Sequence, residues 1–106
     1  MKVLKRLKEV YFDATIRKIE DGFDLIENSP QNVEYIPDRF LNEQDDSGWT
    51  LLIFASFARQ ADAVENLLSR GADKNLKTDS DTSAYDYAFL TSPEIPDQLV
   101  QKLVIN

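Results

Sequence analysis

The sequence predicts an all-α fold, a short array of about three stacked helix pairs. Three observations lead there. Residue types recur at a fixed spacing of 33: Asn42 and Asn75, Thr50 and Ser83, Leu52 and Tyr85, Phe54 and Tyr87, Ala55 and Ala88. Between these marks the apolar residues fall at helical spacing, as in Leu4, Leu7, Tyr11 and Ala14, or Val64, Leu67 and Leu68. The chain has only 106 residues, one small domain. A lone helix pair cannot bury its apolar face, so neighbouring units must cover one another.

The elements follow in order. Residues 1–28 are expected to form an N-terminal helix pair. The stripe Leu4, Leu7, Tyr11, Ala14 gives way to Ile16, Ile19, Phe23 and Ile26 on a shifted phase, which predicts a break near residues 12–15. Ser29 precedes Pro30 and is pushed out of the α region, so the second helix stops there. Residues 29–44 read as a long connecting loop punctuated by Pro30 and Pro37. Val33, Tyr35, Ile36, Phe40 and Leu41 make it apolar enough to lie against the helices, and its length points to function or insertion. Thr50 is an N-cap before the apolar run Leu51 to Phe57, Asp62 opens a second helical stretch, and Gly71 takes the left-handed position that ends it. Residues 50–70 are therefore an αα-hairpin within a full unit at 45–77. Residues 78–106 form a C-terminal capping unit, in which Val100, Leu103 and Val104 resume the apolar face after an insertion around Pro93 to Pro96.

The clearest unit resembles an ankyrin repeat. Asp45, Gly48, Thr50, Leu52, Ala55, Val64, Leu67, Leu68, Gly71, Ala72, Asp73 and Asn75 match that family's pattern without a gap, most specifically in the L-L-x-x-G-A-D block. Ser83 to Ala88 is similar to the family's T-A-x-D-Y-A block. Four positions depart: Leu51 replaces Pro, Ile53 replaces His, Arg59-Gln60 replaces the Gly-His turn, and Lys74 replaces a hydrophobic residue. In the next unit Asp81 stands where Gly is usual, and Asp tolerates the left-handed region better than most residues. Leu41-Asn42 would close a preceding unit, with residues 3–28 as its helix pair and extra residues before Leu41. The resemblance implies a short ankyrin-type solenoid with atypical caps that binds proteins through its loop tips and the concave face of its first helices. The family's variable positions map onto Gln44, Asp46, Ser47, Trp49, Phe57 and Ala58. In the next unit they map onto Lys77, Asp79, Ser80, Thr82, Leu90 and Thr91.

Charge and composition narrow the function. The chain carries 19 acidic and 12 basic side chains for a net −7, and it has no His and no Cys. That excludes His/Cys zinc sites, a Cys nucleophile, a Ser-His-Asp triad and disulfides. An acidic chain does not suit the phosphate backbone of nucleic acid. No stretch is long and apolar enough to span a membrane, no signal peptide is expected, and a cytoplasmic location is. Asp79-Ser80-Asp81 does not complete a calcium loop, because Gly does not follow Asp81 and Leu90 stands where the bidentate Glu belongs. The only glycines are Gly22, Gly48 and Gly71, so no phosphate-binding loop is present. No cofactor or metal is expected.

The charge is uneven. Residues 1–18 hold six bases and two acids, residues 19–46 nine acids and one base, and residues 47–106 eight acids and five bases. The acidic middle is either a solvated face or a surface matched to a basic partner. The leading expectation is a binding protein without catalysis, a small acidic inhibitor such as an immunity protein, antitoxin or phage antagonist. It would occlude a basic partner with Asp45, Asp46, Trp49 and neighbouring carboxylates. A scaffold or adaptor centred on Trp49 and Phe57 is the alternative, and a carboxylate-only or metal-assisted enzyme is the least favoured. Trp49 either points outward as an interface anchor or packs on the 29–44 segment. Tyr85 and Tyr87 align with Leu52 and Phe54 and are expected in the core.

Overall fold

A computed structural model describes residues 2–105; Met1 and Asn106, the ends of the first and last expected units, lie outside the described residues. Every regular element among the described residues is helical: α1 (Lys2–Thr15), α2 (Ile19–Asn28), 3-10 turns at Pro30–Tyr35 and Asp38–Phe40, α3 (Leu51–Phe57), α4 (Ala61–Ser69), α5 (Ala84–Leu90) and α6 (Asp97–Lys102). Two rows result. Helices α2, α3 and α5 pack side by side in one, and residues 30–35, α4 and α6 form the other, each joined to its partner in the first. The core between them is aliphatic, with Ile26, Leu51, Leu52, Ile53, Val64, Leu67, Ile95 and Leu103 fully buried.

Local signals explain the element ends. Thr50 Oγ1 accepts from the Ile53 amide at 3.1 Å, and Ser83 Oγ accepts from the Asp86 amide while the Asp86 carboxylate accepts from Ser83 N at 2.9 Å. Asp21 caps α2 from inside, its carboxylate accepting from the amides of Arg17 at 2.9 Å and Lys18 at 3.2 Å. Gly71 follows the end of α4 with φ +95°. Ile53, at the position where the ankyrin pattern has His, is buried in the core.

The 33-residue spacing reappears as geometry. Asp45 N donates to Trp49 O and Thr78 N to Thr82 O, each at 2.9 Å. Gly48 N donates to Asp45 O and Asp81 N to Thr78 O, and Gly48 and Asp81 both have positive φ, +86° and +62°. The two loops also touch: Asp79 N donates to Ser47 O, and Gln44 Nε2 donates to both Gly48 O and Lys77 O at 2.9 Å. Gly22, Ala55 and Ala88 share the same register in the first row, all buried; a Cβ on Gly22 would stand 2.7 Å from Leu51 Cδ2. Small residues there let the helix axes approach.

The first unit departs from the expectation. The second row's first member is not a helix of residues 1–28 but residues 30–35, a 3-10 turn from the segment expected as a loop. Unit spacing therefore needs no extra residues before Leu41. The Ile36 carbonyl, where the 3-10 turn between Pro30 and Pro37 ends, has no backbone donor and Val33 O has only Ile36 N; Arg70, at the end of α4, donates to both. Its guanidinium donates to Val33 O at 3.2 Å, to Ile36 O, to Asn66 Oδ1 at 3.1 Å, and to Asp38 Oδ1 from Nε at 3.1 Å and Nη2 at 2.6 Å.

Helix α1 stands outside both rows. The chain breaks at residues 16–18, slightly later than expected, and Ile16 is buried. Phe12 stacks on Tyr35 with centroids 5.7 Å apart, and Arg39 donates to Asp13 Oδ1 at 2.8 Å and to Ile16 O at 3.3 Å. These contacts set the rotation of α1 and leave Leu4, Leu7, Tyr11 and Ala14 exposed, whereas their spacing predicts a core-facing stripe.

Two stability outcomes follow from this packing. Gly48→Ala places a Cβ 2.9 Å from Thr78 Cα and 3.0 Å from Asp79 N at positive φ, whereas Gly71→Ala meets only the φ penalty, with nothing within 4 Å. In urea unfolding Gly48→Ala is expected to lose clearly more stability than Gly71→Ala, whose cost is about 1 kcal/mol; equal losses would show that the two loops are not in close contact. Arg70→Ala strips a partly buried donor from two carbonyls and is expected to cost about 2–3 kcal/mol, with Arg70→Lys recovering less than half because an ammonium cannot fork. Full recovery by lysine would show that charge alone holds the segment.

Candidate interaction surface

Trp49 is the centre of an aromatic cluster that draws on the three neighbouring helices of the first row, α2, α3 and α5. The Asp45 carboxylate accepts from the amides of Ser47 at 2.9 Å and Trp49 at 2.8 Å, so the loop backbone entering α3 is fixed. The indole then lies along α3 and onto α5. It stacks on Tyr87 with centroids 5.1 Å apart, meets Phe57 edge-on at 5.4 Å, and lies 6.4 Å from Phe54. Phe57 is 5.5 Å from Tyr87, and Phe23 of α2 is 5.0 Å from Phe54. Trp49 is therefore half-buried, with its ring against those of α3 and α5.

Exposure grades across the cluster. Phe23, Phe54 and Tyr87 are partly buried against the core, and Phe57 is 50% exposed. Tyr85 and Tyr87, expected in the core, are only partly buried. The sequence reading reached Trp49 and Phe57 but missed Phe23, Phe54 and Tyr87 as surface members. The helical spacing of Phe54 and Phe57 on one face was the available signal for part of it.

The surroundings are acidic. Helices α2, α3 and α5 contain no Lys or Arg, while α2 carries Glu20, Asp21, Asp24 and Glu27 and α5 carries Asp86. Glu20 and Glu27 are exposed and lie three residues before and four after Phe23, on its side of α2. Asp46 is exposed in the loop that carries Trp49.

The other expected residues divide by role. Asp45 fixes its own loop, and Gln44 ties that loop to the next through Lys77 O. Ser47 is exposed and its carbonyl takes the Asp79 amide; Asp79 and Ser80 are exposed, Ala58 and Thr82 are half-buried, and exposed Lys77 lies 3.4 Å from Asp81. Leu90 is exposed and lines a shallow depression with Tyr85, Asp86 and Phe89 on α5. Thr91, mapped to the surface by the family pattern, is buried, because its hydroxyl donates back to Ser56 O at 3.2 Å and Tyr87 O at 3.0 Å.

A hollow of about 510 Å³ lies elsewhere, between α1 and residues 34–38, with Arg70 at its edge. Among the described residues no three Asp or Glu side chains are grouped to share a metal ion, and no helix is long and apolar enough to cross a membrane. No protein-family model matches the chain, and no curated protein matches it.

Trp49→Ala removes three ring contacts and opens a hole between α3 and α5. It is expected to cost about 2–3 kcal/mol in urea unfolding, while Phe57→Ala costs about 1 kcal/mol because half its ring already meets water. A neutral Trp49→Ala would show that the indole is not packed between these helices.

Proposed function

We propose that the chain is an ankyrin-type binding protein that acts by covering another protein and performs no chemistry. The ankyrin reading is supported by the 33-residue register of hydrogen bonds, caps and positive-φ residues in the two loops, and by the two rows of elements. The observation that carries the binding reading is the aromatic cluster on α2, α3 and α5, half-exposed on helices that bear carboxylates and no base. Aromatic anchors with an acidic surround fit a basic protein site, with stacking over guanidinium groups and charge attraction acting together. The mode of action is inhibition by occlusion, of the kind used by immunity proteins, antitoxins and phage antagonists. Phe57, Trp49 and Asp46 form the contact, and Glu20 and Glu27 flank it.

A scaffold or adaptor is the second reading, favoured by the exposed ring area at Phe57, which binds without needing charge.

Trp49 is the sole tryptophan, so its fluorescence reports occupancy of this surface directly. With a partner recovered by affinity capture, the association rate is expected to fall about tenfold or more from low to high salt. Phe57→Ala should weaken binding without unfolding the protein, and Asp46→Asn with Glu20→Gln should slow association. A salt-insensitive rate with full tolerance of the neutral variants points to the scaffold. Unchanged affinity and fluorescence with Phe57→Ala removes this surface from the interface.

A further inference from the structure

Helix α1 turns its polar side to the body and its apolar side to solvent. Phe12 and buried Ile16 face inward, with Lys8 5.7 Å from the centre of the Tyr35 ring. On the solvent side Val3, Leu4 and Leu7 are 57–72% exposed, and Val10 and Tyr11, at the borders of the stripe beside hollows against the body, are 54% and 60% exposed. Isolated exposed apolar residues are ordinary, but five along one helix face form a contiguous stripe of the kind that marks docking. Lys5, Arg6 and Lys8 accompany it, and Glu9 and Asp13 are the helix's only acids.

A second open apolar face ends the first row. Leu52 and Ser56 of α3 are buried where α5 packs on α3. The residues 33 positions later, Tyr85 and Phe89, occupy the same places on α5. There Phe89 is 64% and Leu90 74% exposed, and with Tyr85 and Asp86 they line a shallow depression of about 300 Å³. The sign of charge is opposite to that of α1. Residues 78–101 contain Asp79, Asp81, Asp86, Glu94 and Asp97 and no base.

We infer that these two faces are the halves of one interface between copies of this chain: the α1 stripe of one copy seats on the outer face of α5 of the next. Apolar residues fill the middle, with Leu7 as the knob for the Tyr85–Phe89–Leu90 depression, and opposite charges meet around them. Pairing two α1 stripes instead would bring together two helices that each carry more bases than acids. The contact joins two different patches, so it builds open rows rather than a closed pair.

Sedimentation velocity on the full chain tests this. The weight-average mass should rise above 12.1 kDa with concentration, and rise less at high salt. Leu7→Glu and Phe89→Glu, both at exposed positions, should keep the helical circular dichroism and remain monomeric alone. Mixed together they should form a one-to-one complex that grows no further, since each variant retains one intact half. A wild type that stays monomeric at every concentration overturns the proposal. So does self-association of Phe89→Glu alone, which assigns the stripe to α1–α1 pairing. A monomer that instead sediments with phosphatidylglycerol vesicles assigns the stripe to an anionic lipid surface.

Discussion

The first unit of this protein depends on one guanidinium. Arg70 ends α4 and reaches across to residues 33–38, where it meets two backbone carbonyls and one carboxylate oxygen. Its side chain is 19% exposed, so the two carbonyl bonds are partly shielded from water, while its partner Asp38 is 81% exposed. The 3-10 turn bounded by Pro30 and Pro37 closes on Val33 O through Ile36 N but leaves Ile36 O without a backbone donor, and a planar five-donor group supplies that bond and a second one to Val33 O. With that segment fixed, Tyr35 is held for Phe12 and Arg39 is held for Asp13. The placement of α1 therefore depends on Arg70 through two steps, although α1 and α4 belong to different parts of the chain.

Much of the rest is set by short-range sequence rules. Thr50 and Ser83 begin helices because their hydroxyls accept amides that have no other partner. Gly71 ends α4 with the positive φ that an absent Cβ makes cheap. Gly48 and Asp81 turn their loops alike, and these signals are visible in sequence because each involves residues within one turn of one another. Arg70 was not visible in this way: its acceptors in residues 33–38 lie more than thirty residues away, and no spacing rule connects them. The same holds for Trp49, whose stacking on Tyr87 joins two units, and for Thr91, whose burial follows from Ser56 on another helix.

Helix α1 shows how a correct period can mislead about burial. Leu4, Leu7 and Tyr11 do lie on one face of a helix, as their spacing says. Periodicity gives the existence of a face and says nothing of what covers it. The inward side is chosen by Phe12, Ile16 and the Asp13–Arg39 pair, all of which act together through residues 35–40. An amphipathic stripe is a statement about a contact, and the contact need not lie within the same molecule.

The net charge is likewise a sum of separate surfaces. The bases of residues 1–18 sit mainly on α1, outside the rows, while the first row carries acids alone. Exposed charges more than about 8 Å apart are largely screened at physiological salt, so a partner meets the local sign rather than the molecular total. The aromatic cluster spans the side of the row, whereas Phe89 and Leu90 lie at its end, beyond α3. A partner on the cluster and a neighbour on the end face therefore use different residues of α5, Tyr87 for the first and Tyr85 and Phe89 for the second. Successive residues of one short helix point to different surroundings, and that geometry lets seven residues serve two surfaces at once.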